Sequence, residues 1–215
     1  KTSAICMVGK TWDFHVEKAL EIELDENVSM ISDSVRLVAE KAGEAMFDAE
    51  HFFDGYKANP EFALGCLKAA IDNGARWVVL CDTNGGTLPS EVAAITAEAR
   101  SALACPIGIH THNDIGLGVA NALAAVEQGA THVQGTIKGY GERTGNCNLT
   151  SAIPNIALKM GRRSISKARL KKLREVSRFV DEVANLVPDR HQPWVGGTAF
   201  AHKGGMHVNA VQKVA

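Results

Sequence analysis

Five short apolar segments recur along the chain, each followed by a polar loop and then by a stretch with helical spacing. They are Ser3–Val8, Ala45–Glu50, Trp77–Cys81, Ile107–His112 and Thr131–Gln134. Intervals of roughly thirty residues leave room for one helix between strands, as right-handed parallel βαβ units require. Asp25 can cap a helix that carries Val28, Ile31, Val35 and Val38 and ends near Gly43. Asn59-Pro60 sets a capping side chain ahead of a first-turn proline, and that helix runs to Gly74. Pro89 opens a third helix with Val92 and Ile95, and a fourth carries Val119, Leu123 and Val126 and stops at Gly129. A fifth, with Ile153, Ile156 and Leu158, follows Gly145-Asn146.

A doubly wound sheet and a (β/α)8 barrel both satisfy this pattern. The barrel fits better, because Glu50, Thr83, His112 and Glu142 stand in turn where successive strands end, and barrel active sites are built at those ends. The expected fold class is therefore α/β, a partial TIM (β/α)8 barrel of about five βα units. It occupies residues 1–160, and a helical post-barrel segment occupies 161–215. Lys1 is not an initiator and Ala215 is followed by no terminating signal, so the chain reads as an internal piece of a longer protein.

A formal net charge of −1 argues against a general nucleic-acid binder. The cysteines, Cys6, Cys66, Cys81, Cys105 and Cys147, are odd in number and include no Cys-x-x-Cys. That usage suits a reducing cytoplasm better than a disulfide scaffold or a zinc knuckle. No apolar run is long enough for a membrane span, and the N-terminus lacks a signal peptide's apolar core. Arg162, Arg163, Lys167, Arg169, Lys171, Lys172, Arg174 and Arg178 crowd one stretch that reads as a solvated helix face. Gly196–Gln212 reads as a flexible loop that carries His202 and His207.

Two nucleotide signatures fail. Gly9-Lys10-Thr11 resembles the end of a phosphate loop, but Ala4 stands where the first glycine is needed. Gly139-Tyr140-Gly141 ends in Thr144 instead of the third glycine of a dinucleotide fingerprint. His110-Thr111-His112 carries more. Two imidazoles at the end of a buried strand face the same way and make half of a divalent-metal site. The competing reading is one hydrogen-bonded core histidine and one surface histidine. Gly139–Asn146 surrounds a carboxylate, a guanidinium and an amide with three glycines that permit close backbone approach. Asn146 is placed to offer a carbonyl oxygen to a metal. Asp48 and Glu50 share one strand face, whereas His51 points oppositely and reads as structural.

Taken together these motifs resemble one family. His110-x-His112-Asn113-Asp114-x-Gly116 with Asn121, then Gly141-Glu142-Arg143-Thr144-Gly145-Asn146, is similar to the 2-isopropylmalate/homocitrate/citramalate synthases, whose barrel is like that of HMG-CoA lyase. Phe200–His207 resembles that family's post-barrel segment. Asp48–Tyr56 and Leu80–Pro89 are most similar to the citramalate synthase branch. The resemblance implies a metal-dependent Claisen condensation of acetyl-CoA, as co-substrate, with an α-keto acid, pyruvate first, in branched-chain amino-acid biosynthesis. It implies a divalent metal (Zn, Mn, Co or Mg) on His110, His112 and Asn146. Glu50, Glu142 and His207 would be catalytic, and Thr83, Asp48 and Arg143 would bind substrate. A cytoplasmic homodimer is implied, with the His207 segment reaching the partner's site. The family's first-strand Arg-Asp-Gly, whose aspartate is a metal ligand, is lacking here, so the piece alone is expected to be inactive. The alternatives are another keto acid, a lyase running carbon–carbon cleavage on a hydroxyacyl-CoA, or a non-enzymatic metal-binding barrel.

Overall fold

The computed structural model describes residues 2–214. Five parallel strands form one sheet in the order β1 (Ala4–Lys10), β2 (Glu44–Glu50), β3 (Ala75–Asp82), β4 (Ile107–Thr111) and β5 (His132–Gln134). Each strand adds beside its predecessor, and the direction of growth never reverses. A doubly wound sheet needs that reversal to place helices on both faces. A sheet that grows one way with right-handed crossovers keeps its helices on one face and curls, as a (β/α)8 wall does. The strand order therefore selects the partial barrel.

The two faces of the sheet differ in chemistry. Phe47, Val78, Leu80, Ile107 and Ile109 are almost fully buried. They alternate with residues that form the opposite face, on which Lys10 pairs with Glu50 in register, Cys81 with His110, and His110 with Gln134. Alternation by strand geometry thus separates an apolar anchor from a polar floor. Burying each such apolar side chain is worth about 1.5–3 kcal/mol, so the floor is held by the face behind it.

Several boundaries differ from the expectation, each for a local reason. β1 runs on to Lys10, because Gly9 and Lys10 pair with Ala49 and Glu50. β4 ends at Thr111, and His112 leaves the ladder to bridge antiparallel to Asn146. The first long helix is Leu24–Lys41, with Glu23 at the N-cap and Asp25 inside the first turn. Its buried stripe is Asn27, Ile31 and Val35, and Asn27 reaches inward to give a hydrogen bond to the Lys10 carbonyl at 3.0 Å. Asn59 caps Pro60–Asp72 as expected, its side chain accepting from Phe62 N at 3.1 Å. Helices Pro89–Ala102 and Gly118–Glu127 fill the next two crossovers.

Internal packing divides the chain into two compact units, Lys1–Asn148 and Leu149–Ala215. In the second, Leu149–Pro154 continues as a π-helical turn over Asn155–Lys159, and Leu158 is exposed there. Leu173–Val183 buries Leu173, Ser177 and Asp181 at helical spacing. The expected flexible loop over Gly196–Gln212 is helical over Gly205–Val214. Beyond Gly205 that stretch holds neither glycine nor proline to stop a helix. Among the described residues no helix is long and apolar enough to cross a membrane.

Candidate active site

The polar residues gather where the strands end. At the tips of β1 and β2, Lys10 Nζ lies 2.6 Å from Glu50 Oε2. Thr11 secures that tip, its N–H and its hydroxyl both donating to the Glu50 carbonyl at 3.2 and 2.8 Å. The chain then turns sharply through His51, which is left-handed at φ 57°. The turn aims the His51 N–H at Thr83 Oγ1, 2.8 Å away on the loop after β3. Thr83 accepts there and keeps its own hydroxyl hydrogen to donate.

His110 and His112 meet edge to face, with their Nε2 atoms 3.4 Å apart. Two imidazole nitrogens at that separation can both reach one cation at about 2.0–2.1 Å, subtending about 110°. Burial lowers the His112 pKa, and the neighbouring His110 and Arg143 lower it further; the neutral ring is the form that binds metals. His110 Nδ1 faces Gln134 Oε1 at 3.0 Å, and Gln134 Nε2 donates to Asp48 Oδ1 at 2.9 Å. Cys6 Sγ gives a hydrogen bond to the same carboxylate oxygen at 3.0 Å. Burial, reinforced by Asp48, pushes the Cys6 thiol up to about 12, so it serves as a donor and not as a thiolate nucleophile.

The glycine-rich loop after β5 folds back over this floor. Asn146 N donates to the Gly139 carbonyl at 2.9 Å. Gly145 holds φ +100°, and a Cβ there would overlap that same carbonyl oxygen. A Cβ at Gly141 would overlap Asn146 Nδ2. The close approach that three glycines permit is thus realised around Asn146, whose Oδ1 is buried without a hydrogen-bond partner. Arg143 grips Asp114 with two parallel bonds, Nε to Oδ1 at 2.8 Å and Nη2 to Oδ2 at 2.9 Å. Its Nη2 also donates to the Thr83 carbonyl at 2.6 Å. The guanidinium holds the Asp114 carboxyl below the usual carboxylate range.

The sequence-derived residues fall into three groups. His110, His112 and the backbone of Asn146 come together, and Asp48 joins them through Gln134. Glu50, Thr83 and Arg143 line the adjacent strand ends, while the Glu142 carboxylate is 83% exposed, with Arg143 Nη1 at 3.9 Å. His207 belongs to the second unit, on the helix Gly205–Val214, with its ring stacked on His202 at 6.0 Å. Sequence reasoning misses Gln134 and Lys10. An inward alternation from His132 finds Gln134, and Lys10 is hidden by its resemblance to a phosphate loop.

Among the described residues, no cluster of three or more His, Cys, Asp and Glu side chains is arranged to hold a metal ion. The residues present still fit part of a divalent-metal shell. They supply two converging imidazole nitrogens and an orphaned buried amide oxygen on the residue that bridges to His112, a donor set suited to a borderline cation.

Relatives and solved structures place the chain among known folds and sequences. The chain is 56% identical over 210 residues to the (R)-citramalate synthase of Geobacter sulfurreducens, covering 97% of this chain and 40% of that protein. It is 50% identical over 220 residues to that of Synechocystis sp., covering 99% and 40%. It thus spans about 40% of the length of the curated relatives it matches. A probable 2-isopropylmalate synthase of Methanopyrus kandleri matches at 36% over 205 residues, covering 95% of this chain and 40% of that protein, and other 2-isopropylmalate synthases match at 31–32%. An HMG-CoA lyase structure from Acinetobacter baumannii superposes with a TM-score of 0.72 at 20% identity, over 94% of this chain and 68% of that one, a likeness of fold. The HMGL-like family model matches residues 1–180. With the one-way parallel sheet and the paired histidines at its C-terminal rim, that match over most of the length makes this chain a member of the HMGL-like family.

Proposed function

We propose that the protein is an acyl-CoA:2-oxo acid C-acyltransferase that joins acetyl-CoA to pyruvate and, with water, yields citramalate and free CoA. The observation that carries this reading is the gap in identity. The (R)-citramalate synthases match at 47–56%, the 2-isopropylmalate synthases at 31–36%. The lyase structures share the fold at 13–20% identity, which favours no lyase chemistry.

In this reading His110, His112 and the Asn146 amide oxygen would hold a divalent cation, Zn, Mn, Co or Mg. The bound cation would act as a Lewis acid on the keto acid's carbonyl. Thr83 donates its hydroxyl hydrogen to the keto acid's carboxylate, and Arg143 keeps Thr83 in place and offers Nη1 to the same group. Glu50, held by Lys10, stands beside the reacting carbons for proton transfer, with Glu142 on the rim able to order water. Asp48 borders the substrate floor. His207 works on the acetyl group, and a cytoplasmic homodimer lets its segment reach the partner's site.

The test is thiol release from acetyl-CoA by the native protein with pyruvate, 2-oxoisovalerate and 2-oxoglutarate. Pyruvate should be the best acceptor, and Glu50→Gln should lower kcat by about 100-fold or more. Pyruvate as the poorest of the three would overturn the assignment.

A further inference from the structure

The histidine pair has a support that the proposed reaction does not use directly. Gln134 stands between His110 and Asp48, with Oε1 facing His110 Nδ1 at 3.0 Å and Nε2 facing Asp48 Oδ1 at 2.9 Å. A carboxylate oxygen can only accept, so Asp48 decides which end of the Gln134 amide it receives. Cys6 donates to the same oxygen at 3.0 Å, which fixes it further as an acceptor. With its N–H₂ turned to Asp48, Gln134 presents its carbonyl to His110. A neutral imidazole carries one N–H and one lone pair, so the N–H must stand on Nδ1 and the lone pair on Nε2. Nε2 is the atom that meets His112 Nε2 at 3.4 Å.

We propose that Gln134, oriented by Asp48, is a positioning residue that sets the Nδ1–H tautomer of His110 and so aims a lone pair toward His112. The inference deepens the metal-site reading and rests on it. The chain of direction runs from Asp48 on β2, across Gln134 on β5, to His110 on β4. Sheet register makes this possible, because His110 and Gln134 are direct partners in the β4–β5 ladder. Asp48 and His110 lie two strands apart, and the Gln134 amide, reaching from β5, links the two side chains. His112 Nδ1 is buried without a hydrogen-bond partner, so the two rings differ: the Nδ1 side of His110 is held by an amide and that of His112 is not.

The test uses the native protein labelled with 15N-histidine and Co²⁺ as the metal probe, with Gln134→Leu, Gln134→Glu and the double variant Asp48→Asn/Gln134→Glu. In the metal-free wild type, the imidazole resonances lost in His110→Ala should report an Nδ1–H ring. Gln134→Leu should turn that signature into a tautomer mixture and weaken Co²⁺ by about 10- to 100-fold. Gln134→Glu alone sets two carboxylates face to face and should also bind weakly. The double variant restores the direction. Its amide at position 48 donates to its carboxylate at position 134, which in turn accepts from His110, so affinity should return to near the wild-type value. A structural filler would give no such rescue. An Nε2–H ring in the wild type, or a Gln134→Leu protein with unchanged tautomer and Co²⁺ affinity, overturns the proposal. If Co²⁺ is not bound, or His112→Ala leaves its affinity unchanged, the metal-site reading fails. The tautomer signature in metal-free protein then still decides the role of Gln134.

Discussion

Asp82 shows how far one side chain can be committed to holding the rim in shape. It is fully buried, with Thr87 Oγ1 donating to Oδ1 at 2.8 Å and Asn121 Nδ2 to Oδ2 at 3.3 Å. Its carbonyl accepts from both Gly85 N and His112 N at 3.1 Å, so the same residue seats the loop after β3 and the second histidine. Burial raises its pKa, against the opposing pull of Thr87. A raised carboxylate binds its proton more tightly in the folded state. Its contribution to stability is therefore largest at low pH and falls as pH rises from about 3.9 through the raised folded value. Asp82→Asn should cost about 1 kcal/mol or more at low pH, since one amide would face Asn121 donor to donor. That cost should shrink as pH rises through the window, as urea unfolding across a pH series would show; a cost that grows with pH would refute the argument. Gly145 is the opposite case, a residue needed for having no side chain. At φ +100°, with the Gly139 carbonyl oxygen filling the place a Cβ would take, Gly145→Ala should destabilise by about 2 kcal/mol or more in thermal melts.

Between elements, the Arg143 clamp joins three loops: its own after β5, the one bearing Asp114 after β4, and the one bearing Thr83 after β3. Asp114 is the partner whose pKa is depressed, first by the Arg143 hydrogen bond. Its contribution is present above the ordinary carboxylate value and is lost as pH falls through the lowered one. The Arg143 side chain is 43% exposed, so screening keeps the stability effect of Arg143→Lys within about 1 kcal/mol. The consequence should fall on geometry instead. Lysine cannot form the paired bonds to Asp114 while also reaching the Thr83 carbonyl. Arg143→Lys should therefore leave Tm nearly unchanged while speeding amide exchange around Thr83 and, under the proposed function, raising the keto acid KM by about tenfold. Unchanged exchange at Thr83 would show that the clamp does not govern that loop. The His110–His112 pair was legible from alternation alone, because a period of two reads directly from a strand. The Arg143 clamp was not, since its partners lie 29 and 60 residues away on loops whose mutual approach depends on the sheet.

For the whole molecule, the barrel arrangement was legible because polar residues stand in turn where successive strands end, Glu50, Thr83, His112 and Glu142, a pattern that survives small errors in element boundaries. The partners of Gln134 and Lys10 were not legible, because alternation places a side chain on a face but the pairing of Gln134 with His110 and of Lys10 with Glu50 comes from register, which is absent from a linear reading. The helix Gly205–Val214 escaped notice because the glycines ahead of it resemble a loop. What register assembles is a rim on which groups from five strands converge, so a ligand bound there must couple to the folding of the sheet. A cation that binds only the folded form stabilises it by about 2.7 kcal/mol at a hundred times its Kd. For a protein of this size that is a rise of about 5–10 °C in Tm. The native protein titrated with Zn²⁺ or Co²⁺ in differential scanning calorimetry should show that rise. His112→Ala should abolish it, and Gln134→Leu should shift its midpoint to higher metal concentration without removing it. An equal rise in wild type and His112→Ala would place the cation elsewhere, because the coupling must pass through the ring that leaves β4 to meet Asn146.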